Sequence, residues 1–456
     1  MTAQRPRTDW LYDSELSDSA LRRAFTSGAF PVVVYGLGKM GLPLATVFAD
    51  VTGATVGVDI DERVVESINS GDYPVTGEPG LPAEVDSQVS AGRLEATTDG
   101  VTAATAGTVH VVIVPTLVEE DEPDLSVLDA VTETIGDGLS PGDLVAVEST
   151  VPPRTCRDRL LPQLEDRSGL ELGEFGVAFC PERTMSGRAL QDIRGSHPKV
   201  VGGADPESRH AAEQIYGEVT SAQILPVADC TTAECVKVFE GLYRDVNIAL
   251  ANELATLADE IGVDVTAAIE TANTQPYCDI HDPGPGVGGH CIPYYPYFIT
   301  SQFETATPLL GTARSVNDSM PAFVCERVAD CLGATGRTVR DSTVLVLGLT
   351  YRPGVDETRA SPGIAVARLL ADRSQRVYAC DPVCTEAPPE GVESVALEAV
   401  TELDVDAIVL TTAHDAFDGI DWEEFEDVVV VDSHRALNSA DVPHHYYAIG
   451  QGHAEW

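Results

Sequence analysis

The chain has 456 residues, 43% of them hydrophobic, and sets 73 acids against 28 bases for a formal net charge of −45. Such a charge repels phosphate and argues against a nucleic-acid partner, and no apolar run reaches the roughly 18 residues of a membrane span. Only Lys39, Lys199 and Lys237 are lysines, the acids are dispersed, and the balance predicts a halophilic protein: at 1 M salt the Debye length is about 3 Å and self-repulsion is screened. The ten cysteines form no CxxC pair and no metal-ligand spacing, which predicts reduced thiols and no metal. The N-terminal "MTAQRPRTDWLYDSELSDSALRRAF" lacks the apolar stretch of a signal peptide, so a cytoplasmic location is expected.

Residues 1–30 read as an acidic, partly helical extension. From "FPVVVYGLGKMGLPLATVFAD" onward, β-branched runs alternate with helix-length segments. "ATVGVDID", "VHVVIVPT" and "DLVAVEST" are strand candidates, which predicts a parallel, doubly wound sheet over 31–205. From Thr231 to Gly262 apolar residues recur at helical spacing. Thr231 or Thr232 is the expected cap and Gly262 the expected end of one long helix in a central helical domain, 206–325. At about 1.5 Å per residue it would run roughly 45 Å, a length suited to linking domains or pairing with a second copy. A second α/β pattern, with strands in "STVLVLGLTYRP", "RVYACDP", "VDAIVLTTAH" and "DVVVVDS", fills 326–456 and reads as a distant echo of the first. The expected architecture is therefore α/β, two Rossmann-like domains flanking a helical middle.

Gly36, Gly38 and Gly41 form G-x-G-x-x-G between a strand and a helix. The first glycine serves the tight turn, the second the approach of a pyrophosphate, and the third close helix packing. Asp59 ends the next strand 21 residues past Gly38, where an acid accepts ribose hydroxyls and repels a 2′-phosphate, which favours NAD over NADP. Thr150, in "VEST", ends a strand where cofactor and substrate meet in an open sheet. Glu182, in "CPERTMSGR", is a candidate general base. Lys237, Gly241 and Arg244 share one helix face with Asn247 beside it, and retaining lysine at 237 in an arginine-biased chain points to a need for a compact ammonium. Arg352 and Arg359 are candidates for phosphate, with surface ion pairing as the alternative. In "GPGVGGHCIPYYPYF", glycines 288 and 289 clear an approach to Cys291, and His290 beside it makes poor chelate geometry, so the thiol reads as a nucleophile rather than a ligand. NAD and a lone thiol together suggest that an aldehyde is captured, oxidised to a thioester and hydrolysed.

From about Pro31 onward the chain resembles the UDP-glucose/GDP-mannose dehydrogenase family, through "GLGKMGLPLA", "VPT", "ESTVPP", "CPER", "YRDVNIALANELA", "GPGVGGHCIP" and "DETRASP" in family order. "CPERTMSGR", "YRDVNIALANELA" and "GPGVGGHC" look most like its UDP-N-acetylhexosamine branch, such as UDP-N-acetylmannosamine dehydrogenase. The resemblance implies an NAD-dependent, four-electron oxidation of a C6 hydroxyl to a carboxylate and a homodimer joined by the long helix. It also implies a C-terminal domain that binds the UDP part of the sugar. By the same resemblance Cys291 is the nucleophile and Lys237 the acid/base or oxyanion-stabilising group. Glu182 is the base for thioester hydrolysis, and Thr150 helps place water and nicotinamide. Asp59, Arg63, Thr116 and Arg359 match cofactor positions. Arg183, Thr184, Arg244, Tyr351 and Arg352 match substrate positions, and Asn247, Gly288 and His290 lie among them. Four residues depart from the family pattern: Gly241 stands for a usual asparagine, Tyr295 for an aspartate, Tyr277 for the arginine of "HPRVNI" and Arg352 for the lysine of "FKP". The alternatives are a UDP-glucose 6-dehydrogenase and a nucleotide-sugar-binding protein without turnover.

Overall fold

Val32–Tyr35 (β1) is β-branched or aromatic throughout and fully buried, as a strand covered on both faces must be. Val32 and Val34 enter one core layer, Val33 and Tyr35 the other. The strands that follow are Thr55–Val58 (β2), Leu94–Thr97 (β3), Val109–Val112 (β4), the hairpin Leu117–Glu119 (β5) and Glu122–Asp124 (β6), Leu144–Val147 (β7), Gly176–Phe179 (β8), Lys199–Gly203 (β9) and Ile224–Pro226 (β10). Eight of them form a sheet in the order β10-β9-β8-β7-β4-β1-β2-β3. The strands predicted over 31–112 and 144–147 lie at its centre. The β8–β9 pair is antiparallel, so the sheet is not parallel throughout.

The computed structural model describes residues 7–73, 75, 77–185 and 187–452, in two compact units: Met1–Phe239 with Tyr297–Gln302, and Glu240–Pro296 with Phe303–Trp456. The second unit holds a six-stranded, all-parallel sheet of Thr343–Leu347 (β11), Arg376–Cys380 (β12), Val392–Ser394 (β13), Ala407–Leu410 (β14), Val429–Asp432 (β15) and His445–Ala448 (β16), in the order β13-β12-β11-β14-β15-β16. The architecture is thus α/β, with Rossmann-like N- and C-terminal sheets and a helical middle.

Two expectations for the middle need correction. The long helix spans Cys230–Thr256, breaks at Leu257, and resumes over Ala258–Ile261 before Gly262 ends it at φ +70°. Its cap is Asp229 rather than a threonine. The Asp229 carboxylate accepts from the backbone N and the hydroxyl of Thr232 at 2.7 and 2.8 Å, being the stronger acceptor for the unpaired first-turn N–H groups. Nor is it the one long helix, because Pro308–Ala334 is equally long, at 27 residues, and starts on a proline that suits a first turn. Buried polar groups join the two helices. The Arg314 guanidinium pairs with Asp245 at 2.6 Å, and Asn317 bonds both Asp245 and Asn252 at 2.9 Å.

The N-terminal segment is part of the first unit's core. Leu11 and Tyr12 donate their backbone N–H to Gly142 O, Tyr12 Oη reaches Asp205 at 2.5 Å, and Leu21 and Phe25 join the core that holds Phe48, with the Phe25 ring edge-on to it.

Candidate active site

The first unit's glycine loop is shaped for close backbone approach. Gly36 sits at φ +94°, and a β-carbon there would lie 2.5 Å from Ile113 O. A β-carbon on Gly41 would lie 1.8 Å from Gly36 O, whereas one on Gly38 would meet nothing within 4 Å. The loop is thus closed on its protein side and open at Gly38, where bare backbone faces the start of the helix Gly41–Thr52. Asp59 accepts from Leu37 N at 2.9 Å and from Asp61 N at 3.0 Å, which pins it beside the loop. Arg63, fully exposed, turns back onto Asp61 at 2.8 Å. Beyond the ends of the neighbouring strands β4 and β7, Thr116 donates to Thr150 O at 2.6 Å and Ser149 bridges to Val114 at 2.8 Å; the strand order reverses beside them, between β1 and β4. These residues fit a dinucleotide: an open glycine, a helix N-terminus and an acid at the ribose end.

The same unit gathers Glu182, Arg183, Thr184 and Lys237. Lys237 is half-buried and donates Nζ to Glu182 O at 2.5 Å; it is not a solvated helix lysine. The Glu182 carboxylate accepts from Thr184 N. Burial pushes that carboxyl above its ordinary range, against the pull of Lys237. Arg183 donates to Pro198 O at 3.0 Å, and with Glu182 and Thr184 it lines a cavity that reaches down to Glu148, Lys199 and Tyr216. A group that sequence reasoning missed, Glu234, lies one turn before Lys237. Its buried carboxylate accepts from Arg154 N at 2.5 Å and Cys156 N at 2.8 Å, and so holds the loop that follows Thr150. Burial raises its pKa to about 7.

The second unit gathers Gly288, His290, Cys291, Tyr351 and Arg359. Gly289 N donates to Arg359 O at 2.9 Å, and a β-carbon on Gly288 would lie 2.6 Å from Tyr351 Cβ, so this loop needs its glycines to dock. His290 Nδ1 lies 2.7 Å from Glu357, which also faces Arg359 at 3.8 Å. Cys291 O accepts from Tyr294 N and Tyr295 N at 3.1 and 3.0 Å, forming a turn. Among the described residues Cys291 is the exposed cysteine; the other nine are buried or half-buried and all are free thiols. Asn247 is committed to protein: it bonds Asp279 O at 2.6 Å and His281 N at 2.9 Å. Arg244 is exposed on the same helix, and Tyr351 and Arg352 lie in the loop after β11. Among the described residues no cluster of acids, histidines and cysteines is able to hold a metal ion.

That loop repeats the first one. Gly348 sits at φ +101°, and a β-carbon on Gly363 would lie 2.4 Å from Gly348 O. Asp381, at the end of β12, accepts from Leu349 N at 2.7 Å and Val383 N at 3.0 Å, just as Asp59 accepts from Leu37 N and Asp61 N. Burial would raise the Asp381 pKa, but His414 and these backbone donors hold it well below the usual range.

Residues 30–220, 231–319 and 345–439 match, in order, the NAD binding, central and UDP binding domains of the UDP-glucose/GDP-mannose dehydrogenase family. The chain belongs to that family. It is a nucleotide-sugar dehydrogenase that uses NAD, and its UDP binding domain supports a UDP-sugar as substrate. The dehydrogenase is 36% identical over 426 residues to a UDP-N-acetyl-D-mannosamine dehydrogenase of Pyrococcus horikoshii, covering 92% of this chain and 99% of that protein. An NDP-N-acetyl-D-galactosaminuronic acid dehydrogenase of Ralstonia solanacearum is 36% identical over 414 residues, 88% and 95% of the two chains. Among solved structures, the UDP-D-ManNAc dehydrogenase of Pyrococcus horikoshii superposes with a TM-score of 0.86 at 35% identity, covering 92% and 99% of the chains. A UDP-glucose dehydrogenase from Pyrobaculum islandicum gives 0.84 at 28% identity, covering 93% and 98%.

Proposed function

We propose that this dehydrogenase oxidises the C6 hydroxyl of a UDP-N-acetylhexosamine, UDP-N-acetylmannosamine in the first place, to the uronic acid through thiohemiacetal and thioester intermediates on Cys291. The observation that carries the reading is the exposed Cys291 thiol, presented on a turn whose approach is built of glycine. The names of the relatives at 36% identity support the N-acetylated sugar. When bound, NAD takes up the hydride released at each of the two oxidations.

The residues divide the remaining work. Lys237 holds or stabilises the proton of the reacting oxygen as the alcohol becomes an aldehyde. The Cys291 sulfur then forms a bond to the aldehyde carbon, and the proton passes to the oxygen, giving the thiohemiacetal. Loss of hydride from that carbon, with the hydroxyl proton passing to Lys237 or to water, leaves a thioester. Glu182 takes a proton from water, placed with the help of Thr150; the hydroxyl adds, the C–S bond breaks, and the thiol is restored. Asp59, Arg63, Thr116 and Arg359 serve the cofactor, and Arg183, Thr184, Arg244, Asn247, Gly288, His290, Tyr351 and Arg352 the sugar nucleotide. The enzyme works as a salt-adapted cytoplasmic homodimer joined along the long helix. Tyr243, Leu250 and Leu257 support that assembly, since all three are exposed and spaced seven residues apart.

In molar KCl, two NADH per UDP-N-acetylmannosamine are expected, and C291S should yield none. Turnover of UDP-glucose alone would transfer the reading to a UDP-glucose 6-dehydrogenase. Binding of both UDP-sugars with no NADH formed would mark a binding protein instead.

A further inference from the structure

Two of the chain's three lysines hold successive carbonyls of one strap. Lys237 Nζ bonds Glu182 O at 2.5 Å, and Lys199 Nζ reaches Pro181 O at 3.4 Å. Lys199 also pairs with Glu148 at 2.6 Å, its side chain 16% exposed and that of Glu148 only 1%. Tyr216 Oη donates to the other Glu148 oxygen at 2.6 Å, and the ammonium lies 4.6 Å from the centre of the Tyr216 ring. Glu148 follows β7, Lys199 opens β9, and Tyr216 lies on the helix Pro206–Val219, so three separate elements converge. They meet at the floor of the cavity that Glu182, Arg183 and Thr184 line above.

We propose that the buried Lys199–Glu148–Tyr216 triad is a positioning device for Glu182, holding the Pro181–Glu182 strap and supplying the field in which its carboxylate works as a base. The proposal rests on the reading of Glu182 given above. Stability alone is a poor reason for the triad, since well-packed apolar residues of similar volume often replace a buried ion pair without loss. Lysine at 199 has a physical reason in a chain that otherwise prefers arginine. An ammonium is a compact point charge on a flexible stem, aimed here at both the Glu148 carboxylate and Pro181 O, whereas a guanidinium is wider and spreads its charge over a rigid plane.

The field on Glu182 has opposing parts. Lys237, from the long helix, and Lys199, from β9, favour the carboxylate, whereas Glu148 disfavours it. Asp192, His197 and Arg183 face the same cavity, and Tyr216 closes it below.

The test is the acid limb of thioester hydrolysis, followed in single turnover on the full chain with UDP-N-acetylmannosamine and NAD in molar KCl. K199M should move the limb to higher pH and E148Q to lower pH, each changing the rate at a fixed pH on the limb by about threefold or more. K199R should bring the limb back toward the wild-type position. If K199M and E148Q lose activity with limbs unmoved, or moved the same way, the triad is only structural. The double variant K199M/E148Q leaves no buried charge unpaired and covers misfolding of a single variant. It should keep a near-normal limb at a reduced rate, and a wild-type rate would overturn the proposal. E182Q separates the two readings: an intact limb in E182Q removes Glu182 as the base, whatever the triad does.

Discussion

A β-carbon placed on Gly241 would lie 1.8 Å from Cδ2 of Tyr295, whose buried ring lies against that turn of the helix. The two departures from the family pattern are therefore one physical feature: the glycine opens a slot and the ring fills it. Tyr295 N also bonds Cys291 O, so the slot anchors the turn that carries the thiol. G241A should overpack the site and cost roughly 1–3 kcal/mol. Adding Y295A should recover part of that loss in denaturant titrations, because contacting residues are not additive; strict additivity would show that the two do not form a unit. Glu234 gives a pH test. Its folded pKa, about 7, lies above the ordinary 4.5, so the native state keeps a proton that the unfolded chain has released. Its contribution to stability is therefore lost as pH rises from 4.5 to 7, by at most roughly 3 kcal/mol. Unfolding free energies measured across that window should show the slope in the wild type and lose it in E234Q. Cys291, Asp59 and the G-x-G-x-x-G glycines stood out as candidates from residue type and spacing. Glu234 was not, because a helix glutamate reads the same whether it faces water or two buried N–H groups.

At the scale of elements, the central strands were legible as continuous β-branched runs, while β3, β8, β9, β10, β13 and β16 were not singled out. Charged or polar residues, glycines or a proline interrupt the apolar signal there, and position in the sheet makes them strands. The polar face of the long helix carried a readable signal that went unused. Asp245 and Asn252 lie seven residues apart, both buried, and meet Arg314 and Asn317 on the second long helix. The outward stripe of Tyr243, Leu250 and Leu257 tests the proposed dimer. L250D with L257D should give a monomer in sedimentation equilibrium, with the far-ultraviolet spectrum unchanged; an unaltered dimer would place the interface elsewhere.

For the whole molecule, −45 charges on 456 residues imply strong self-repulsion in dilute buffer. Calorimetric Tm should rise steeply from low salt to molar KCl and then level off as the Debye length falls toward about 3 Å. A Tm insensitive to KCl would remove the proposed salt adaptation. Many of the arginines already sit in exposed or half-exposed ion pairs, such as Arg159–Asp129 and Arg435–Asp264. Screening will weaken these pairs, but each contributes only about 1 kcal/mol or less, so the excess of acid dominates the response.

What depends on residue type and on a few bonds of chain was determined by the sequence alone: the glycine loop, the acid Asp59 that follows β2, the thiol on its glycine approach and the family itself. Long-range placement was decided by the fold. It put Glu148, Lys199 and Tyr216 from three elements into one buried triad and sent the N-terminal segment into the first core. It also seated Tyr295 on Gly241. The reason is physical: local spacing sets which backbone shapes and which groups are available, whereas burial, partner and field arise only when segments distant in sequence share the same space.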